Sequence, residues 1–196
     1  MNFKTNTEKT ILDICLKVAK AGKGCLIILI KGGLDYAPLI PQDIQKFCLK
    51  GNERRTEVLA LVDGAVVVKD DEVIAYACQI LNTKPVTGFG TRFAAANTAS
   101  WGNTAFLTSE EDRKVRVLRD GKVVMQLDAL EQGIESRTDE AGEILQSIGF
   151  GTAATVTSNI VAPLALSAVG ISFLPGVLVF GVSYYLLKKI FDNYKK

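Results

Sequence analysis

Histidine is absent from all 196 residues. That absence removes the usual general base near neutral pH, the Ser-His-Asp and Cys-His nucleophile systems, and most zinc sites. Any chemistry therefore runs on carboxylates, hydroxyls, Arg, Lys and a metal ion. Cysteine is sparse: Cys15, Cys25, Cys48 and Cys78 lie far apart with no C-x-x-C spacing, so they read as buried free thiols of a reducing compartment. Net charge is small, with 23 Lys and Arg against 21 Asp and Glu and no long basic run, which argues against a nucleic-acid-binding surface. Neither a G-x-x-x-x-G-K-[ST] loop nor a G-x-G-x-x-G turn between a strand and a helix occurs, so the common nucleotide folds are not supported. The polar start MNFKTNTEKT lacks the apolar core of a secretory signal, and the body of the protein is expected in the cytosol.

A different absence marks the C-terminal part. From Ile144 to Leu187, about 44 residues pass without a charge, enough for two membrane passes of roughly 20 residues each. Pro175 and Gly176 break the pattern, so a turn is expected within 170–176. Lys188, Lys189, Lys195 and Lys196 follow the second pass, and the positive-inside tendency puts them in the cytosol beside the N-terminal domain. Tyr184 and Tyr185 stand where an interfacial belt would, and small residues crowd Gly149 to Ser158. Asn159 suits a hydrogen bond between packed membrane helices or the lining of a pore. A buried helical hairpin inside a soluble oligomer is the other reading of this stretch.

The expected organisation is a folded domain over 1–130, an amphipathic connector over 131–147, a two-pass transmembrane helical hairpin over 148–190 and a basic cytosolic tail over 191–196. The implied location is the inner (cytoplasmic) membrane with the domain facing the cytosol, and membrane lipid is an expected partner.

What is present in residues 1–130 alternates between periods. Ile11, Ile14, Cys15 and Val18 form a helical stripe that begins near Asn6 or Thr7 and ends at Gly22 and Gly24. Cys25 to Ile30 is apolar on both faces and bounded by glycine, as a central buried strand requires. Pro41 to Lys50 fits a short helix with Ile44, Phe47 and Cys48 on one face. Gly64 to Lys69 and Val73 to Ile80 read as strands joined by a tight turn at Asp70-Asp71. Thr91 to Ser100 reads as a helix. Thr104 to Thr108, Val115 to Leu118 and Val123 to Leu127 read as strands, the last two joined at Asp120-Gly121. The fold class is α/β (α+β): a mixed central sheet flanked by helices.

Three clusters carry polar chemistry. Asp63-Gly64-Ala65 sets a carboxylate beside a glycine at a strand edge, suited to a divalent metal or a hydroxyl proton. Gly88-Phe89-Gly90-Thr91-Arg92 opens a helix where backbone N–H groups, a hydroxyl and a guanidinium can converge on an anion. Ser109-Glu110-Glu111 ends a strand with two carboxylates.

Together and in this order, Asp63-Gly64-Ala65, Gly90-Thr91-Arg92 and Ser109-Glu110-Glu111 resemble the signature of the diadenylate cyclase domain family, over roughly residues 22–130. The resemblance implies a face-to-face dimer in which each ATP offers its 3′-hydroxyl to the other's α-phosphate, giving cyclic di-AMP. It implies Asp63 and Arg92 as catalytic residues, and Gly64, Ala65, Gly90, Thr91, Arg92 and Ser109 as nucleotide-binding residues. Mg2+ or Mn2+ is implied at Asp63, Glu110 and Glu111. The sequence departs from the family where His-Arg follows Gly-Thr-Arg: here those positions are Phe93 and Ala94. Loss of two polar phosphate contacts weakens triphosphate binding, and a nucleotide sensor that gates an oligomeric transmembrane pore is the alternative function. The membrane-bound cyclases also resemble a domain preceded by membrane helices, whereas here the apolar stretch follows it.

Overall fold

The computed structural model describes residues 7–42, 44–147 and 171–173. Its elements are α1 (Thr7–Lys20), β1 (Cys25–Ile30), β2 (Tyr36–Pro38), β3 (Phe47–Cys48), α2 (Glu53–Ala60), β4 (Ala65–Lys69), β5 (Glu72–Ile80), α3 (Thr91–Ala99), β6 (Thr104–Thr108), β7 (Lys114–Arg119), β8 (Lys122–Asp128), a 3₁₀ turn (Ile134–Arg137), α4 (Thr138–Ser147) and β9 (Ile171–Phe173). The strands form one mixed sheet in the order β2-β5-β4-β1-β6-β7-β8-β9, with β3 also paired to β5. Only β1 and β4 run parallel among these pairs; the other ladders are antiparallel.

Strand β1 is central because it is apolar at every position. All six of its residues are buried, and alternation sends them to opposite faces. Cys25, Ile27 and Leu29 join a core with Ile11, Leu16, Phe106, Met125 and Leu145, under α1 and α4. Leu26 and Ile28 join a smaller core with Val67, Leu107, Ala96 and Ala99, under α3. The alanines of α3 let that helix lie close to the sheet, so its N-terminus is delivered to one sheet end.

Turn chemistry follows the sequence. Asp70 and Asp71 both have positive φ, as do Asp120 and Gly121. These are the primed two-residue turns that match strand twist. Gly22 (φ +66°) ends α1, with the Gly22 N–H donating to Ala19 O at 2.9 Å and the Lys23 N–H to Val18 O at 3.1 Å.

None of the described residues between Pro41 and Lys50 is helical. Phe47 and Cys48 instead extend as β3 against Val73 and Glu72, with Cys48 exposed, which corrects both the helix and the burial expected there. The Gln42 side chain supplies the reason: its amide bonds the backbone of Tyr76 in both directions, acting as a strand bridge. A helix the periodicity did not suggest, α2, follows at Glu53, and its Thr56 and Ala60 are buried while Val58 is exposed.

The sheet end away from Asp63 is braced by buried charge. Glu8 Oε1 accepts from Arg119 at 2.8 Å and from Lys31 at 2.9 Å, while Arg119 also donates to Thr104 Oγ1 and Leu145 O. Burial pulls the Arg119 guanidinium below its ordinary value, and the Glu8 carboxylate opposes that.

Among the described residues, no helix is long and apolar enough to cross a membrane. The expected hairpin over 148–190 lies outside the described residues except for Ile171–Phe173, which pair with Leu127 to Met125 of β8 as an edge strand.

Candidate functional site

Parallel pairing of β1 with β4 and antiparallel pairing of β1 with β6 bring three separate chain segments to one sheet end. Leu26 is level with Ala65 on one side and with Leu107 on the other. Asp63-Gly64, Gly24 and Ser109 therefore terminate neighbouring strands, and β4 and β6 stand about two strand spacings, roughly 10 Å, apart. The sequence spacing of the three clusters says nothing of this; the strand order creates it.

Gly64 is required where it stands. Its φ is +100°, and a Cβ there would lie 2.7 Å from the backbone of Ala77 and Cys78 on β5. The close approach arises from a bulge: Ala65 pairs with Cys78 and Val67 with Ala75, so β5 carries one extra residue, and Ala77 takes φ +44°. Asp63 is exposed beside it, its Oδ1 accepting from the Gly64 N–H at 3.0 Å. Ala65 is buried and serves packing.

Arg92 crosses from the start of α3 to the sheet. Its guanidinium occupies the space that a side chain at Gly24 would need, at the mouth of β1, the strand between Asp63 and Ser109. Gly90 opens α3 in an extended conformation without a side-chain cap, leaving the first N–H groups of the helix open to an anion. Thr91 is exposed at the same helix start.

The end of β6 is held from behind. Thr108 Oγ1 accepts from the buried Cys25 thiol at 3.4 Å and donates to Cys15 O at 3.5 Å. The contact with Cys25, together with burial, pushes the Cys15 thiol up, while the same contact pulls the Cys25 thiol down.

A cleft of about 340 Å³ opens between the α3 start and the β6–β7 connection, lined by Gly88, Phe89, Gly90, Arg92, Phe93, Leu107, Ser109, Glu110, Glu111, Asp112 and Arg116. It gathers two of the three expected clusters. Asp63, Gly64, Ala65 and Thr91 do not line it; Asp63 and Gly64 lie at the same sheet end, across Gly24. Among the described residues, no group of three or more His, Cys, Asp or Glu side chains is placed to hold a metal ion, so Asp63, Glu110 and Glu111 do not form a ready-made cage.

Two features of the cleft were missed by sequence reasoning. Phe93 does not point at solvent as a polar residue there would; its ring stacks on Phe89 with centroids 4.0 Å apart and planes 16° apart, and Phe89 stays 55% exposed. Ala94 is buried. Arg116, in the middle of β7, lines the cleft and pairs with Asp112, with its Nε donating to Gln126 Oε1 at 3.1 Å. Burial alone would raise the Asp112 carboxyl, but hydrogen bonds from Arg116 and Ser109 hold it below the usual carboxylate value. The alternating pattern of β7 carried the signal for Arg116, a cation on the opposite face from the buried Val115 and Val117.

Residues 15–123, more than half of the chain, match the family described as DisA bacterial checkpoint controller nucleotide-binding. No curated protein matches the sequence. Among solved structures, a hypothetical membrane-spanning protein from Bacillus cereus aligns at 19% identity with a TM-score of 0.47, over 58% of this chain and 59% of that one. A double mutant of DacA from Staphylococcus aureus aligns at 17% identity with a TM-score of 0.46, over 71% of this chain and 92% of that one.

Proposed function

Because this chain belongs to the DisA-type diadenylate cyclase (DAC) nucleotide-binding family, we propose that it condenses two ATP molecules into cyclic di-AMP across a face-to-face dimer. The observation that carries the reading is the meeting of Asp63-Gly64, Arg92 and Ser109-Glu110-Glu111 at one end of the sheet.

In this reading the open N–H groups at the start of α3, the Arg92 guanidinium and the Ser109 hydroxyl bind phosphate oxygens. Gly64 lets the backbone approach the nucleotide, and Asp63 accepts the proton of the attacking 3′-hydroxyl. Each 3′-oxygen forms a bond to the α-phosphorus of the facing ATP as the bond to pyrophosphate breaks, and two such steps close the ring. The dimer contributes proximity, since neither ATP can reach its own α-phosphate in line.

The donor set suits Mg2+ or Mn2+. Glu110, Glu111 and Asp63 offer hard carboxylate oxygens, and such ions are commonly held by one or two carboxylates together with substrate phosphates rather than by an all-protein cage. When bound, the ion offsets the charge of the phosphates.

Membrane attachment through the uncharged residues that follow α4 is part of the proposal, supported by the length of the uncharged run and by the lysines that end it. The Phe89–Phe93 stack favours a second reading, in which the domain binds a nucleotide without turning it over and passes the signal to an oligomeric membrane pore.

One assay separates the two. Full-length protein is incubated with ATP and Mn2+ and analysed by mass spectrometry for cyclic di-AMP and for retained nucleotide. Product that disappears in Asp63→Asn is the expected result. Nucleotide retained with no product moves the assignment to the sensor.

A further inference from the structure

We infer that Arg116 is a second phosphate-binding guanidinium of the cleft, standing in for polar contacts that Phe93 and Ala94 do not make. The inference rests on the reading of this cleft as the phosphate end of a nucleotide site.

Arg116 is level with Leu107 on β6, and paired residues share a sheet face, so its side chain rises on the α3 side beside the α3 N-terminus. On that face Leu107, Ala105 and Leu118 are apolar, while Gln126 stands opposite Arg116 on β8. A guanidinium is an expensive choice there if packing alone were needed. It is also held in place rather than left to swing: Asp112 grips it from the β6–β7 connection and Gln126 from β8. Those partners engage three of its five N–H groups. The remaining two are available at the cleft, where the side chain keeps 19% of its surface exposed.

The placement suits a phosphate. Arg92 lies over Gly24 at the mouth of β1, and Arg116 stands on β7; these are the two strands that flank β6. The two cations thus bracket Ser109, and an anion over the end of β6 lies between them. Pre-orientation by the neutral Gln126 reduces the ordering cost of binding, while the Asp112 carboxylate competes with an anion for the guanidinium.

The same ion pair provides the test. Arg116→Gln and Asp112→Asn both break it, so a purely structural role moves both variants in one direction. An anion-binding role moves them apart, because the first removes a cation from the site and the second removes a competing anion. Affinities for ATP, adenosine and inorganic pyrophosphate are measured by calorimetry on full-length wild type and both variants, with thermal melts to establish folding.

Arg116→Gln is expected to weaken ATP and pyrophosphate by at least about tenfold, the equivalent of one charge-assisted hydrogen bond. Adenosine should be unchanged, and Asp112→Asn should bind both anions more tightly than wild type. Unchanged anion affinity in Arg116→Gln, or equal losses in both variants, overturns the inference while leaving the nucleotide reading intact. Pyrophosphate bound through Arg116 with no binding of ATP upholds the inference and removes the nucleotide reading. If wild type binds neither anion, both fall.

Discussion

Gly64 shows how a single residue joins fold to site. Its φ of +100° lies where side chains are strained, and the bulged backbone at Ala77 leaves no room for a Cβ. Gly64→Ala therefore meets a conformational cost and a packing cost together, about 2–4 kcal/mol. Urea denaturation should show a loss of that order, and a loss below about 0.5 kcal/mol would mean the β4–β5 contact is looser than described. The acidic neighbour Asp63 was legible in the sequence as chemistry, but the need for glycine beside it was not. That need comes from an extra residue on β5, 13 positions away in sequence. Phe93 is a similar case. As a departure from the family's histidine it was visible at once, yet only the fold reveals that the ring is used, stacked on Phe89 in the cleft.

At the scale of elements, α1 and α4 depend on a buried cluster far from the site. Glu8 in the first turn of α1 is 2% exposed and bonds both Arg119 and Lys31, and Arg119 in turn caps α4 at the Leu145 carbonyl. Removing one partner of a buried pair leaves an uncompensated charge, so Glu8→Ala should cost about 3–5 kcal/mol. A denaturation midpoint close to wild type would show that water reaches Arg119 and replaces the carboxylate. Nothing in the local pattern announces this cluster, because its members lie 23 and 111 residues apart from Glu8. The hairpin β7–β8, by contrast, was readable from Asp120-Gly121 and the alternation around it, since positive φ at both turn residues is a local demand. The segment Pro41 to Lys50 failed for the opposite reason. Its apolar spacing permits a helix, but the Gln42 side chain and the exposed edge of β5 offer strand-like hydrogen bonds that win in the tertiary setting.

For the whole molecule, the open matter is the relation of the domain to a membrane. In a two-pass hairpin that turns within 170–176, Ile171–Phe173 lie across the bilayer from the sheet. As β9 they lie against β8. The two arrangements exclude each other for the same residues. Gln126 and Ser172 are register partners, so a Gln126→Cys, Ser172→Cys double variant distinguishes them. The membrane proposal expects the protein to float with liposomes and to form no cross-link between these positions under mild oxidation. A cross-link in the floated protein sinks the two-pass arrangement, and failure to float removes the anchor altogether.

The sequence by itself determined the local features: the helix of α1, the two-sided burial of β1, the primed turns, the lack of histidine chemistry and the three polar motifs that resemble one family. Each is set by residues within a few positions of one another, where periodicity and φ preference act directly. The tertiary structure alone decided which of those motifs meet. Strand order put Asp63, Gly24 and Ser109 side by side, brought Arg92 across the mouth of β1, and set Arg116 in the cleft with its partners. Such placement depends on contacts between residues tens of positions apart, and those contacts exist only once both faces of the sheet are covered and the core has closed.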